Sequence, residues 1–333
     1  MKKIGVIVLC CVLLSSCRER SRFYIDTDKV PVNIKIERFD KDIYHIKTDN
    51  IQKSTDSLRH VYGSFLDIYT KGVLEIGVLG TPENNSAMRQ FLTDTSVHHI
   101  YNDCLTKYKN TEKVNKSLNT AFRYFKYYFP NKPIPRVLFH VSGFNQSIVI
   151  TDSVVSASID NYLGENYPPY KQIAYNYEIP TMTEKRLPVD IVLGWISSEF
   201  YMDTQSGRLL ENIIYNGKMM YLLSIFFPDY TEAEIMGYSE KQLKWCQKNE
   251  TNIWAYILEN KQLFSNDWKN ISRYINPAPF TAGMSEESPG KIGIWIGFQI
   301  VKNYAEKQKD LTLPQIMEEN NCQKILQLSG YRP

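Results

Sequence analysis

The chain has 333 residues and a formal charge of +3, which falls to +1 once Lys2 and Lys3 leave with a cleaved leader. That length suits one large domain or two small ones, and a nearly neutral chain without a basic cluster has no electrostatic hold on nucleic acid. Beyond residue 17 only Cys104, Cys246 and Cys322 remain, an odd set with no Cys-x-x-Cys pair, which excludes a disulfide framework and the common structural zinc sites.

Met1-Lys2-Lys3 is a short basic start, and Ile4 to Leu14 is an almost unbroken apolar run. The run is too short to span a bilayer and has the proportions of a signal-peptide core. Leu14-Ser15-Ser16-Cys17 follows and resembles a bacterial lipobox, which implies acylation of Cys17 as the mature N-terminus. The membrane is then a partner through that anchor, because each buried methylene adds about 0.8 kcal/mol. Residues 1–16 are read as signal peptide and 17–30, polar and without apolar periodicity, as a lipidated tether.

The remainder, 31–333, reads as a single domain of the α+β class, mainly helical: helices over 31–130, a small sheet over 134–160, and a helical bundle over 188–330. Val32, Ile34 and Ile36 alternate with polar residues, as in a half-buried strand. Asn50 is placed to cap a helix through Leu58, Val61, Phe65 and Ile68. Helices through Met88 and Phe91 and through Ile100 and Leu105 follow. Leu118, Ala121, Phe122, Phe125, Tyr128 and Phe129 form an amphipathic helix that Pro130 ends.

The period then changes to two. Val137–Val141, Ser147–Ile150 and Val154–Ser158 read as about three strands, and their tight spacing predicts an antiparallel meander. After a Tyr162–Pro169 loop, helices run from Pro188 to about Asp203 and from Ser206 to Phe227. Thr231 with Glu234 and Ser239 with Gln242 are capping boxes, the second ahead of a long helix to about Leu263. Pro277 and Pro279 interrupt, and Ser288 with Pro289 is the expected start of a helix carrying Trp295 and Tyr304. Thr312 with Gln315 opens a last short helix. Gly217, Gly293 and Gly297 lie on apolar faces; each mid-helix glycine costs roughly 0.8–1 kcal/mol against alanine, so close backbone approach is the expected gain.

The order of helices, small sheet and a following helix suggests a zincin scaffold, whose zinc needs His-Glu-x-x-His on that helix. Histidines occur only at 45, 60, 98, 99 and 140, none beyond the sheet, so no metal and no cofactor is expected. Three carboxylates fall on stripes that should be buried. Glu199 and Asp203, four apart, could hold a hard cation, or be solvated or paired with lysine. Glu250 lies on the stripe of Leu243, Cys246, Ile253 and Ile257, where a lone carboxylate needs a cation or neutrality, with Arg273 and Lys218 as possible partners.

Several stretches resemble the gliding motility lipoprotein B (GldB) family of the Bacteroidetes. They are Asp160–Gly164, Ile214–Lys218, Gly237-Tyr238, Trp245–Gln247 with Glu250 and Trp254, Arg273–Phe280, and Glu287–Gly290 leading into Gly293-x-Trp295-Ile296-Gly297. The resemblance implies a lipoprotein associated with gliding motility and type IX secretion, distantly similar to zincin-like peptidases without their histidines, and it assigns no catalytic residue. Surface-exported lipoproteins of this group carry an acidic run after the cysteine. Arg18-Glu19-Arg20-Ser21 is mixed in sign, which favours the periplasmic face of the outer membrane. The leading expectation is a non-catalytic lipoprotein with envelope protein partners; a carboxylate-dependent hydrolase and a ligand- or glycan-binding module are the alternatives.

Overall fold

The computed structural model describes residues 21–201 and 207–333. The expected signal peptide, Cys17 and Asp203 lie outside the described residues. The N-terminal half holds α1 (Phe39–Tyr44), α2 (Ile51–Tyr62), α3 (Ser64–Ile68) with a π-helical turn after it (Tyr69–Val73), α4 (Pro82–Thr93), α5 (Thr95–Lys107) and α6 (Glu112–Tyr128). Asn50 caps α2 by accepting from the Lys53 amide. The helix expected to continue to Ile68 breaks at Gly63, whose φ of 57° and ψ of −137° suit glycine alone. Each capping box predicted at Thr231, Ser239 and Thr312 has both of its reciprocal bonds.

Residues 21–30 are not a tether. Phe23, Ile25 and Val30 are buried, and Tyr128 donates to the Phe23 carbonyl at 2.8 Å. The alternating stretch that follows forms a strand, β1, over only Ile36–Glu37. Before it, side chains of α6 take the place of a neighbouring strand. Asn119 accepts from the Ile34 amide at 2.7 Å and donates to its carbonyl at 2.9 Å, and Arg123 donates to the Val32 carbonyl at 3.0 Å. Residues 21–37 therefore form a strap fixed across α6, with their apolar side chains inward.

The sheet also departs from the meander. β2 (Arg136–His140), β3 (Ile148–Ile150) and β4 (Val154–Ser158) lie where expected, but the order is β1-β2-β4-β3. β2 runs parallel to both β1 and β4, and only β3 is antiparallel to its neighbour. The physical reason is in the β2–β3 connection and in Asp160. Gly143 and Phe144 both have positive φ, which turns the Ser142 and Phe144 amides toward one point. The Asp160 carboxylate sits there, accepting from Phe144 at 2.7 Å and Ser142 at 3.4 Å, with the Ser158 hydroxyl as a third donor. The connection is thus pinned over the end of β4, leaving room for β4 beside β2. β4 is buried along its whole length, as a strand with neighbours on both edges and cover on both faces should be.

The second half contains α7 (Tyr170–Ile173), α8 (Leu187–Glu199), α9 (Leu209–Phe226), α10 (Glu232–Met236), α11 (Glu240–Glu259), α12 (Trp268–Ile275), α13 (Ile292–Lys307), α14 (Leu313–Glu318) and α15 (Cys322–Ser329). α8 packs its Gly194 against Ile148 and Ile150 of the edge strand. α9 and α13 are the central pair. A Cβ on Gly217 would come 2.2 Å from the Gly297 carbonyl carbon, and one on Gly297 would come 1.7 Å from the Ile213 carbonyl oxygen, so these glycines are where the helices touch backbone to backbone. The adjacent Lys218 is also structural: its ammonium donates to the Met317 and Glu319 carbonyls at the end of α14, where the helix dipole is negative. Among the described residues no helix is long and apolar enough to cross a membrane.

α13 begins three residues later than Ser288 and Pro289 predict. Ser288 instead accepts from the Thr281 amide at 3.1 Å and donates to the Ser285 carbonyl at 2.6 Å, while Thr281 donates to the Pro289 carbonyl at 2.7 Å. These bonds close residues 281–289 into a loop that uses up the expected cap. Lys291, at φ 57°, turns the chain into the helix with no side-chain cap.

Candidate functional site

The irregular segments of the second half meet around one cleft of about 960 Å³. Its walls are Phe144 and Ser147 of the β2–β3 connection, parts of the segment after β4 between Asn161 and Thr183, the first turn of α8, the α10–α11 junction and the 277–291 loop. Four of the stretches that carry the family resemblance contribute to it: Asn161 and Tyr162; Gly237 and Tyr238; Pro277, Ala278 and Pro279; and Glu287 to Gly290. They are far apart in the chain, and folding brings them to one place. The Ile214–Lys218 and Gly293–Gly297 stretches hold helices together instead.

Arg186 organises the wall between α8 and α10. It is mostly buried and donates from Nε to Asp190 at 2.7 Å, and from one terminal nitrogen to the Glu234 and Ile235 carbonyls at 3.0 and 2.9 Å. Gly237 ends α10 in the left-handed region at φ 70°, with the Arg186 guanidinium 3.2 Å from where its Cβ would stand. A side chain there would be strained and would also press on the guanidinium. Tyr162 donates to the other oxygen of Asp190 at 3.1 Å; burial first, and then the Asp190 charge, hold its phenol well above the usual range. Lys185 pairs with Glu234, and Lys241 lies 3.8 Å from Glu287 at the exposed rim.

Lys291 is the remaining cation of the lining. Burial, reinforced by the Arg186 charge, pushes its amine down to about 8, against the opposing fields of Asp190 and Glu178. No carboxylate lies within 4.0 Å of it among the described residues. Asn161 also lines the cleft; it is 8% exposed, and its side-chain amide nitrogen has no hydrogen-bond partner.

Because Arg186 uses a planar fork to join two helices, Arg186→Lys keeps the charge and loses the geometry. The variant is expected to lower unfolding free energy by about 2 kcal/mol in urea denaturation, the cost of two or three buried hydrogen bonds left unmade.

The carboxylates singled out in the sequence lie elsewhere. Glu199 closes α8 and pairs with Lys132 at 3.3 Å. Glu250 accepts from the Tyr331 hydroxyl at 2.8 Å, so its partner is neither Arg273 nor Lys218. None of Glu199, Glu250 and Arg273 lines the cleft. Arg186, Asp190, Asn161 and Lys291 were not singled out; the four-residue spacing of Arg186 and Asp190 on one helix was the available signal. The cleft has neither histidine nor cysteine among its described lining residues. His140, on β2, is fully buried with Nδ1 2.7 Å from the Ser156 hydroxyl, and among the described residues no group of three His, Cys, Asp or Glu side chains is arranged to hold a metal.

The family model described as gliding motility protein GldB matches residues 20–333. No curated protein and no solved structure matches the chain.

Proposed function

The chain belongs to the gliding motility protein GldB family, and from that premise we propose that it is a non-catalytic lipoprotein, anchored through Cys17, that supports an envelope protein complex. The periplasmic face of the outer membrane is the proposed position, and a zincin-like ancestry of the scaffold belongs to the same proposal. The observation that carries the reading is the extent of the family match, which covers residues 20–333.

Chain length adds a constraint on where the complex sits. Phe23 is already buried in the fold, six positions after Cys17. An extended chain over that interval reaches roughly 20 Å, so an acylated Cys17 holds the folded body against the membrane surface. The hydrolase alternative gains nothing, because Glu199 and Glu250 are engaged with Lys132 and Tyr331 away from the cleft.

The test is fractionation of cells grown with labelled palmitate. The native chain is expected in the membrane fraction carrying label, and Cys17→Ser in the soluble fraction without it. Crosslinking in living cells should capture envelope proteins with the native chain. An unlabelled native chain in the soluble fraction would overturn the anchor, and crosslinking that captures no envelope protein would overturn the supporting role.

A further inference from the structure

We propose that the cleft receives a short peptide with both ends free, its terminal carboxylate on Lys291 and its ammonium group toward the acidic mouth. The inference does not rest on the envelope-complex reading; it comes from the charges that the fold leaves unmatched.

Ten charged side chains line the cleft. Three cations are matched within it: Lys185 with Glu234, Arg186 with Asp190, and Lys241 with Glu287. What remains among the described residues is one ammonium, that of Lys291, and the carboxylates of Glu165, Glu178 and Glu286, none of them in an ion pair. Lys291 is part-buried, whereas Glu165 and Glu286 are exposed at the mouth. A part-buried ammonium with no carboxylate in contact is unfavourable, and burial holds its amine down despite the fields of Asp190 and Glu178. An incoming carboxylate would relieve that cost.

The helix dipole favours an anion beside Lys291, and two other features mark the same lining. The lysine heads the sixteen-residue helix α13, which lacks a side-chain cap, so the helix dipole adds positive potential there. Its backbone is left-handed, a conformation costing an L-residue roughly 1–2 kcal/mol, and bonds from its amide to the Asn276 carbonyl and from the Ile294 amide to its own carbonyl hold it so. Asn161, nine-tenths buried in the same lining, has an amide nitrogen without an acceptor.

The class of ligand follows from the signs. Six acids against four bases line the cleft, so a polyanion such as nucleic acid or polyphosphate is repelled overall. A single carboxylate carried on a body with a positive end complements both the lysine and the acidic mouth. A volume near 960 Å³ is at the upper end for small-molecule sites and suits several residues of extended chain.

The test uses the full-length protein in detergent and random-sequence tetrapeptides in three forms: both ends free, C-terminally amidated, and N-acetylated. Lysine acetylation by an activated acetate ester is followed residue by residue with mass spectrometry. The free peptides are expected to slow acetylation of Lys291 several-fold, leaving Lys185 and Lys241 unchanged, and calorimetry should show the same binding lost in Lys291→Asn. Asparagine tolerates the left-handed backbone, and the labelling of the native protein stands whether or not that variant folds. Amidated peptides must fail to protect. Equal protection by the amidated set, no protection by any set, or undiminished binding to a folded Lys291→Asn overturns the proposal. Equal protection by N-acetylated peptides would overturn the free-peptide assignment, since a chain tail would then serve as well.

Discussion

Gly297→Ala is expected to destabilise the protein by about 3 kcal/mol or more, although alanine is the better helix former by nearly 1 kcal/mol. The sign is decided by the facing helix. The added methyl would stand 1.7 Å from the Ile213 carbonyl oxygen and 2.5 Å from its carbon, which are backbone atoms that cannot rotate away. α9 and α13 must therefore separate, and packing along the whole contact is lost with them. In this large domain such a loss lowers the melting temperature by roughly 6 °C or more. Gly217→Ala is expected to act in the same direction, because its methyl would strike the Gly297 carbonyl group and the Phe298 amide. Gly72→Ala is the control: nothing lies within 4 Å of its new methyl, so stability should stay level or rise slightly. If Gly297→Ala melts with the native chain, the two helices are not in backbone contact and this account of the central pair is wrong.

The second large effect is acid sensitivity through His140. The ring is fully buried between β2 and the aromatic side chains of Tyr69 and Phe65, at 5.7 and 6.5 Å between centroids, and burial pushes it from 6.5 down to about 3. The folded pKa is depressed, so the stabilising contribution is complete above pH 6.5 and is lost as pH falls toward 3. In that window the unfolded chain takes up a proton that the folded chain refuses. The full difference corresponds to about 4–5 kcal/mol. His140→Gln keeps an amide for Ser156 and removes the titration. Urea unfolding at several pH values between 7 and 4 should show the native chain losing stability faster than the variant, by close to one proton's worth. The difference between the two carries the result, because buried Asp40 and Asp160 are raised by desolvation and act with the opposite sign. Parallel curves for the two proteins would mean that His140 is protonated in the fold.

Much of the local structure is legible along the chain. The capping boxes at Thr231, Ser239 and Thr312 form as the spacing predicts, because each needs only residues three apart. Gly217 and Gly297 on apolar helix faces announce backbone contact, whereas Gly293 makes room first for the side chains of Tyr274 and Ile213. The family that the motif stretches between Asp160 and Gly297 resemble is the one whose model matches residues 20–333. Errors arise wherever a distant group competes for a local bond. Thr281 takes Ser288 away from its expected cap, Asn119 and Arg123 occupy the backbone groups that an N-terminal strand would have paired, and Asp160 holds the β2–β3 connection over β4.

The chain by itself determined its class, its capping boxes, the stop of α6 before Pro130 and the glycines that mark close packing, because these depend on periodicity and on side chains a few residues apart. Only the tertiary structure decided the parallel pairing of β2 with β4, the true partner of Glu250, and the cleft in which Asn161, Arg186 and Lys291 meet. Those residues are between 25 and 130 positions apart. Whether a charge is matched depends on what stands within a few ångströms of it in space, and no spacing along a sequence records that.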